Sequence, residues 1–147
     1  MEMEKTSDVI DDESISNDMA LWRLVGPNIV INGKLMNYIV KDDKGKWRPS
    51  SLAFQNTKGT DRMSVYLVET VRATGRNAHS LVSEGKPYVA ALLAGTVRSK
   101  PISQIIIKSP TPDEVAHADV CGTKPKTVKQ AMAKASAWEI EPHPDCN

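Results

Sequence analysis

Apolar and polar positions change period several times along the chain, and each change marks an element. Asn28 to Val40 holds two apolar runs around Asn32-Gly33. Asn-Gly between apolar runs predicts a two-residue hairpin, because both turn positions favour positive φ. Asp42 to Lys46 is a polar turn, and Trp47 to Phe54 reads as a third strand interrupted near Pro49. Met63, Val65 and Leu67 alternate with Arg62, Ser64 and Tyr66, which predicts a strand over 61–67 with one apolar face. The period then shifts. Val68, Val71, Gly75, Ala78 and Val82 follow a helical stripe, with Gly75 as a point of breakage and Gly85 placed where a helix-ending glycine belongs. Tyr88 to Ala94 is short and wholly apolar, as in a buried strand. Ile105 to Ile107 is another strand, with Arg98 to Pro101 as the turn between them. Pro125 opens an amphipathic C-terminal helix on which Val128, Ala131, Met132, Ala135 and Trp138 share a stripe. The pattern predicts an α+β fold: an antiparallel-rich sheet with one or two helices on a face and a C-terminal amphipathic helix.

Residues 112–121 admit two readings. Thr111-Pro112-Asp113-Glu114 matches a capping box. Against it, Ala116, Ala118 and Val120 alternate with His117, Asp119 and Cys121, which favours a strand.

Charge divides the chain. The formal net charge is +1, from 19 Lys+Arg and 18 Asp+Glu. Residues 1–20 hold seven acids and one base, a balance of −6, and the rest has 18 bases and 11 acids, a balance of +7. The acidic stretch reads as a disordered tail, 21–138 as a single domain, and 139–147 as a flexible C-terminal tail. No apolar run approaches membrane-helix length and no secretory leader is visible. With 2 cysteines there is no disulfide framework. These features predict a cytoplasmic protein that does not enter the membrane.

His117, Asp119 and Cys121 bring together a base, a carboxylate and a thiol. On a strand they share a face, but His117 and Cys121 stand about 13 Å apart, too far to pair. A nucleophile for His117 must come from a neighbouring strand, with Ser64 the first candidate and Ser51 the next. On a helix, Asp113, His117 and Cys121 would align instead. Too few further soft ligands exist for a zinc centre, so neither metal nor cofactor is expected. Cys121 reads as a small buried residue.

A second group is basic. Lys44, Lys46, Arg48, Lys58 and Arg62 lie near Trp47 and Phe54, and Lys124, Lys126, Lys129 and Lys134 line the last helix. Basic groups among aromatics suit phosphate contact and base stacking, although lysine-rich outer helix faces are ordinary solvated surface. Arg48, Ser51, Arg62, Ser64 and His117 would form one polar patch if their strands were neighbours, with Asp119 beside them as a further ligand-binding residue. P-loop, dinucleotide-binding, zincin and nucleophile-elbow motifs do not occur.

Asp61-Arg62-Met63-Ser64-Val65 and His117-Ala118-Asp119-Val120-Cys121-Gly122 resemble small bacterial domains that combine a D-x-x-S-V strand with an H-A-x-V-x-G segment and have no established activity. The resemblance implies a bacterial context and adds weight to Ser64 and His117. Three functional readings follow. The first is a binding or accessory module for a protein partner or a small anionic ligand. The second is a small hydrolase or transferase with His117 as acid–base, Ser64 beside it and Arg48 and Arg62 around the substrate. The third is a weak nucleic-acid binder using the basic face, which the acidic stretch could screen.

Overall fold

The computed structural model describes residues 9–145. Ten strands run in chain order: β1 Ala20–Val25, β2 Ile29–Ile31, β3 Lys34–Met36, β4 Ile39–Lys41, β5 Trp47–Pro49, β6 Arg62–Leu67, β7 Tyr88–Leu93, β8 Ile105–Lys108, β9 His117–Cys121 and β10 Ala137–Ile140. Three α-helices accompany them: α1 Val68–Ala73, α2 Ala94–Arg98 and α3 Lys126–Ala135. Six strands form one antiparallel sheet in the order β10-β7-β1-β6-β9-β8, and β2-β3 and β4-β5 are separate two-stranded ribbons. The fold is α+β, as the pattern predicts.

Strand alternation gives the six-stranded sheet two unlike faces. Leu21, Val25, Met63, Val65, Leu67, Ala90, Leu92, Ile106, Ala118 and Val120 lie on the first and are buried. Against them pack Met132 of α3, Ala94 and Val97 of α2, and Phe54 from a 3-10 turn over Ser51–Phe54. On the second face Trp22 and Val89 meet Val68 and Val71 of α1, with Ala78 and Ala116 beside them. That cover leaves Arg62, Ser64, His117 and Asp119 of β6 and β9 on the second face, with Ile105 and Ile107 of β8 beside them.

Several elements depart from the sequence reading. The expected helical stripe after Val68 stops at Ala73, because Gly75 takes φ +79°, a conformation that cannot continue a right-handed helix. Gly85 lies in a short β-bridge turn between Ser83 and Lys86. The turn expected at 98–101 is preceded by α2. The last helix ends at Ala135, and Trp138 belongs to edge strand β10, where its Nε1–H donates to Trp47 O at 2.9 Å. Glu139 and Ile140, assigned to a flexible tail, are therefore in the sheet. Trp47–Phe54 splits into β5 and the 3-10 turn, and β5 pairs only with β4. The central strand β1 was not anticipated from the pattern.

The acidic segment is the largest correction. Residues 1–8 of the expected tail lie outside the described residues, but the chain from Asp11 onward is docked. Asp11 Oδ1 accepts from Ile106 N at 2.9 Å, and Asp12 N donates to Ile106 O at 2.9 Å, so the segment covers the free edge of β8. Arg98 donates to Asp11 Oδ1, Asp12 O, Ile15 O and Asn17 Oδ1. Ile15 is fully buried. Gly95 permits this docking, since a Cβ there would stand 2.9 Å from Asn17 Cβ. The physical reason is edge satisfaction: pairing with the β8 edge, the Arg98 hydrogen bonds and the burial of Ile15 offset the conformational entropy lost, despite the acidic composition. Among the described residues no helix is long and apolar enough to cross a membrane.

Candidate functional site

Ser64 and His117 meet because β6 and β9 are adjacent. Their register sets Ser64 opposite Asp119 and Tyr66 opposite His117, so Arg62, Ser64, His117 and Asp119 share the polar end of the second face. Ser64 Oγ lies 3.0 Å from His117 Nε2. The other ring nitrogen, Nδ1, lies 3.0 Å from Ser109 O and 2.7 Å from Ser109 Oγ. With the proton on Nδ1 the ring donates to the Ser109 carbonyl and leaves Nε2 bare; with it on Nε2, Nδ1 accepts from the Ser109 hydroxyl. In the first tautomer Ser64 Oγ–H donates to Nε2, and in the second Nε2–H donates to Ser64 Oγ. Tyr66 meets the imidazole edge-on, with ring centroids 6.0 Å apart, and limits its rotation.

Asp119 does not complete a Ser–His–Asp relay. Its Oδ1 lies 4.0 Å from Nε2, the serine-facing nitrogen, while Ser109 holds the orienting position at Nδ1. Arg62 Nη1 is 3.9 Å from Asp119 Oδ2, and the Arg62 side chain is 43% exposed, so that pair is loose and screened. The expected helical alignment of Asp113, His117 and Cys121 does not arise, since His117–Cys121 is β9. Burial pushes the Cys121 thiol up to about 11, which keeps it protonated and unreactive near neutrality.

Two expected members are elsewhere. Arg48 Nη2 donates to Ala133 O at 3.0 Å and Ser136 O at 2.7 Å. It closes the C-terminus of α3, where free carbonyls and the helix dipole favour a cation. Ser51 opens the 3-10 turn packed against α3, on the first face. Lys124, placed by the sequence reading on a basic helix face, is buried. Its Nζ donates to Val120 O at 2.9 Å, Gly122 O at 3.0 Å and Asn56 Oδ1. Desolvation lowers its pKa to about 8.

A cleft of about 400 Å³ opens beside Ser64. β1 and β6 are paired only at Leu21–Leu67 and Trp22–Tyr66. Beyond that point Arg23 bridges the gap: Nη1 donates to Ser64 O at 2.9 Å, Nε to Ala53 O at 2.9 Å, and Nη2 to Gln55 O at 3.4 Å. Arg23, Tyr38, Gln55, Thr57, Ser64 and Lys86 contribute to its lining, and among the described residues that lining holds no Asp or Glu. Burial brings the Arg23 guanidinium down to about 10. Lys86 is also lowered, first by burial and then by the Arg23 charge. Among the described residues its ammonium has no hydrogen-bond or ion-pair partner. The two cations therefore line the same cleft with no acidic partner among its described lining residues. The pattern reading missed both, because Arg23 sits inside the apolar run Ala20-Leu21-Trp22 … Leu24-Val25 and Lys86 in a turn far along the chain. An arginine within a strongly apolar strand was the available signal.

Among the described residues no group of three or more His, Cys, Asp or Glu is arranged to hold a metal ion. Compared with protein-family models, curated proteins and solved structures, the chain matches none.

Proposed function

We propose that the protein is a binding module for a small anionic ligand, held in the cleft between β1 and β6. The observation that carries this reading is the pair Arg23 and Lys86, a guanidinium lowered by burial and an exposed ammonium, on a cleft whose lining among the described residues holds no carboxylate. Removing a cation from water without a counter-charge is unfavourable. An anion in the cleft offsets that penalty for Arg23 and gains a second cation in Lys86. Arg23 uses three of its five N–H groups on main-chain carbonyls, which fixes the guanidinium and leaves two for a ligand. The Lys86 ammonium and the Tyr38 hydroxyl add donors on the same cleft.

Succinate and inorganic phosphate are suitable probes. In an NMR titration, backbone signals of Gly26, Gly85 and Lys86 should shift saturably with at least one of them. Lys86→Glu should weaken binding about tenfold or more, since a carboxylate then replaces a cation beside the ligand. Absence of saturable shifts at these residues with both anions would overturn the reading.

A further inference from the structure

We propose that the ligand of the cleft is a free amphiphile: an anionic head held by Arg23 and Lys86, with a single alkyl chain laid along the β2-β3 hairpin. The inference rests on the cleft being an anion site and names the class of its ligand.

The cleft is only partly polar. Leu24, Val25, Pro27, Ile29, Tyr38 and Leu52 share its lining with the two cations. A bare anion would leave those apolar groups in water, whereas a ligand with a hydrocarbon body covers them.

The apolar surface then continues out of the cleft. Pro27 and Tyr38, both in the lining, bracket the hairpin, and Asn28 Oδ1 accepts from Ile39 N at 2.9 Å, which ties its base beside the cleft. Ile29 lines the cleft and is 42% exposed. Alternation places Ile31 on the same face, about 7 Å further along β2, and it is 43% exposed. Register sets Met36 directly opposite Ile29, so it shares that face. Val30 and Leu35 pair on the other face. Among the described residues, neither buried cluster of the sheet includes the apolar side chains of β2 and β3. The strip formed by Ile29, Ile31 and Met36 is thus apolar, uncovered and continuous with the cationic cleft. Three side chains fall far short of the roughly 1,000 Å² that a stable protein interface buries, which favours a chain-like ligand over a second copy of the protein. The absence of a carboxylate from the described lining sets the sign of the head.

The test uses the full chain with butanoate, hexanoate and octanoate below micelle-forming concentrations, followed by calorimetry and NMR, with succinate in parallel. Affinity should rise about tenfold or more from butanoate to octanoate, roughly twofold per methylene, because a half-exposed strip returns about half the free energy of full burial. The Ile31 amide signal should move with octanoate and stay in place with succinate. Lys86→Glu should weaken every member of the series about tenfold or more. Ile31→Ser should lower octanoate affinity about threefold or more, while Leu35→Ser, on the other face of the same hairpin, should leave it at the native value. Octanoate binding no tighter than butanoate, with succinate still bound, overturns the chain site and leaves the anion cleft standing. No saturable binding of succinate, phosphate or octanoate overturns both. Octanoate binding that ignores Lys86→Glu, or equal losses in Ile31→Ser and Leu35→Ser, overturns the joined head-and-chain site. A dimer in sedimentation equilibrium that Ile31→Ser dissociates would assign the strip to a second copy, and retention on phosphatidylglycerol vesicles without octanoate binding would assign it to a membrane surface; either result overturns the free ligand.

Discussion

The two faces of the sheet are built from the same strands and carry opposite kinds of residue. On the first face every inward position of β6, Met63, Val65 and Leu67, is buried under Phe54 and neighbouring elements. On the second, the alternate positions Arg62, Ser64 and Tyr66 are half-buried, and the cluster that includes α1 reaches Tyr66 but neither Arg62 nor Ser64. Close packing makes the first face intolerant of lost volume. Partial solvation lets the second hold a histidine, a serine and charged groups at low cost. The sheet thus separates stability from chemistry by one residue of register. Shifting β6 by one position would exchange the two sets.

The sharpest way to break this comparison is to damage the closed face. Phe54 is fully buried and joins the 3-10 turn to the core beside α3. Phe54→Ala removes a large aromatic contact and leaves a cavity, and it should cost about 4 kcal/mol of unfolding free energy in urea. A cost below about 1 kcal/mol would mean that the first face is not the stabilising one.

A charge inside the protein provides the second test. Lys124 is 9% exposed and is held by two carbonyls and Asn56. Its pKa falls from 10.5 to about 8, chiefly by desolvation. Between those values the unfolded chain binds more protons than the folded one, so this group makes stability rise with pH across that window. Below about 8 both states are protonated, and the cost of holding the charge is fully present. Cys121 opposes the trend between 9.0 and about 11, because its folded pKa is raised. Native protein and Lys124→Met both carry it, so it cancels in their difference except for its charge coupling to Lys124. From pH 7.5 to 10 the native protein should gain about 2 kcal/mol relative to Lys124→Met in paired urea titrations. A flat difference would show that the ammonium is not desolvated.

The sequence exposed the chemistry-bearing strands more clearly than the scaffold around them. Alternation over 61–67 and 116–121 was enough to identify β6 and β9, and it pointed from His117 to Ser64 as its partner on a neighbouring strand. Pairing Ser64 with Arg48 failed because arginine's reach hides its target: β5 lies apart from the six-stranded sheet, and the guanidinium extends to the end of α3. Lys124 reads as a surface residue by composition, yet the polar atoms that bury it come from Asn56 and the end of β9. The docked acidic segment was illegible for a related reason. Its contacts are to the main chain of β8 and to Arg98, so side-chain periodicity carries no trace of them. Arg23 was hidden by its apolar neighbours, although an unmatched cation in such a run is itself informative.

The smallest expected effect sharpens the comparison from the other side. Ser64 sits between Met63 and Val65, both fully buried, but its side chain turns to the half-buried face and bonds His117. Ser64→Ala removes one hydrogen bond to a ring whose side chain is 21% exposed, where water can replace the lost donor. The expected loss is about 0.5 kcal/mol, measured by urea unfolding. Val65→Ala, one residue away on the closed face, should lose about 2 kcal/mol or more. Adjacent positions would then differ severalfold in stability because alternation sends their side chains into different solvents. An equal loss at both would mean that the Ser64–His117 contact is part of the core, and that the polar end of the sheet is structural.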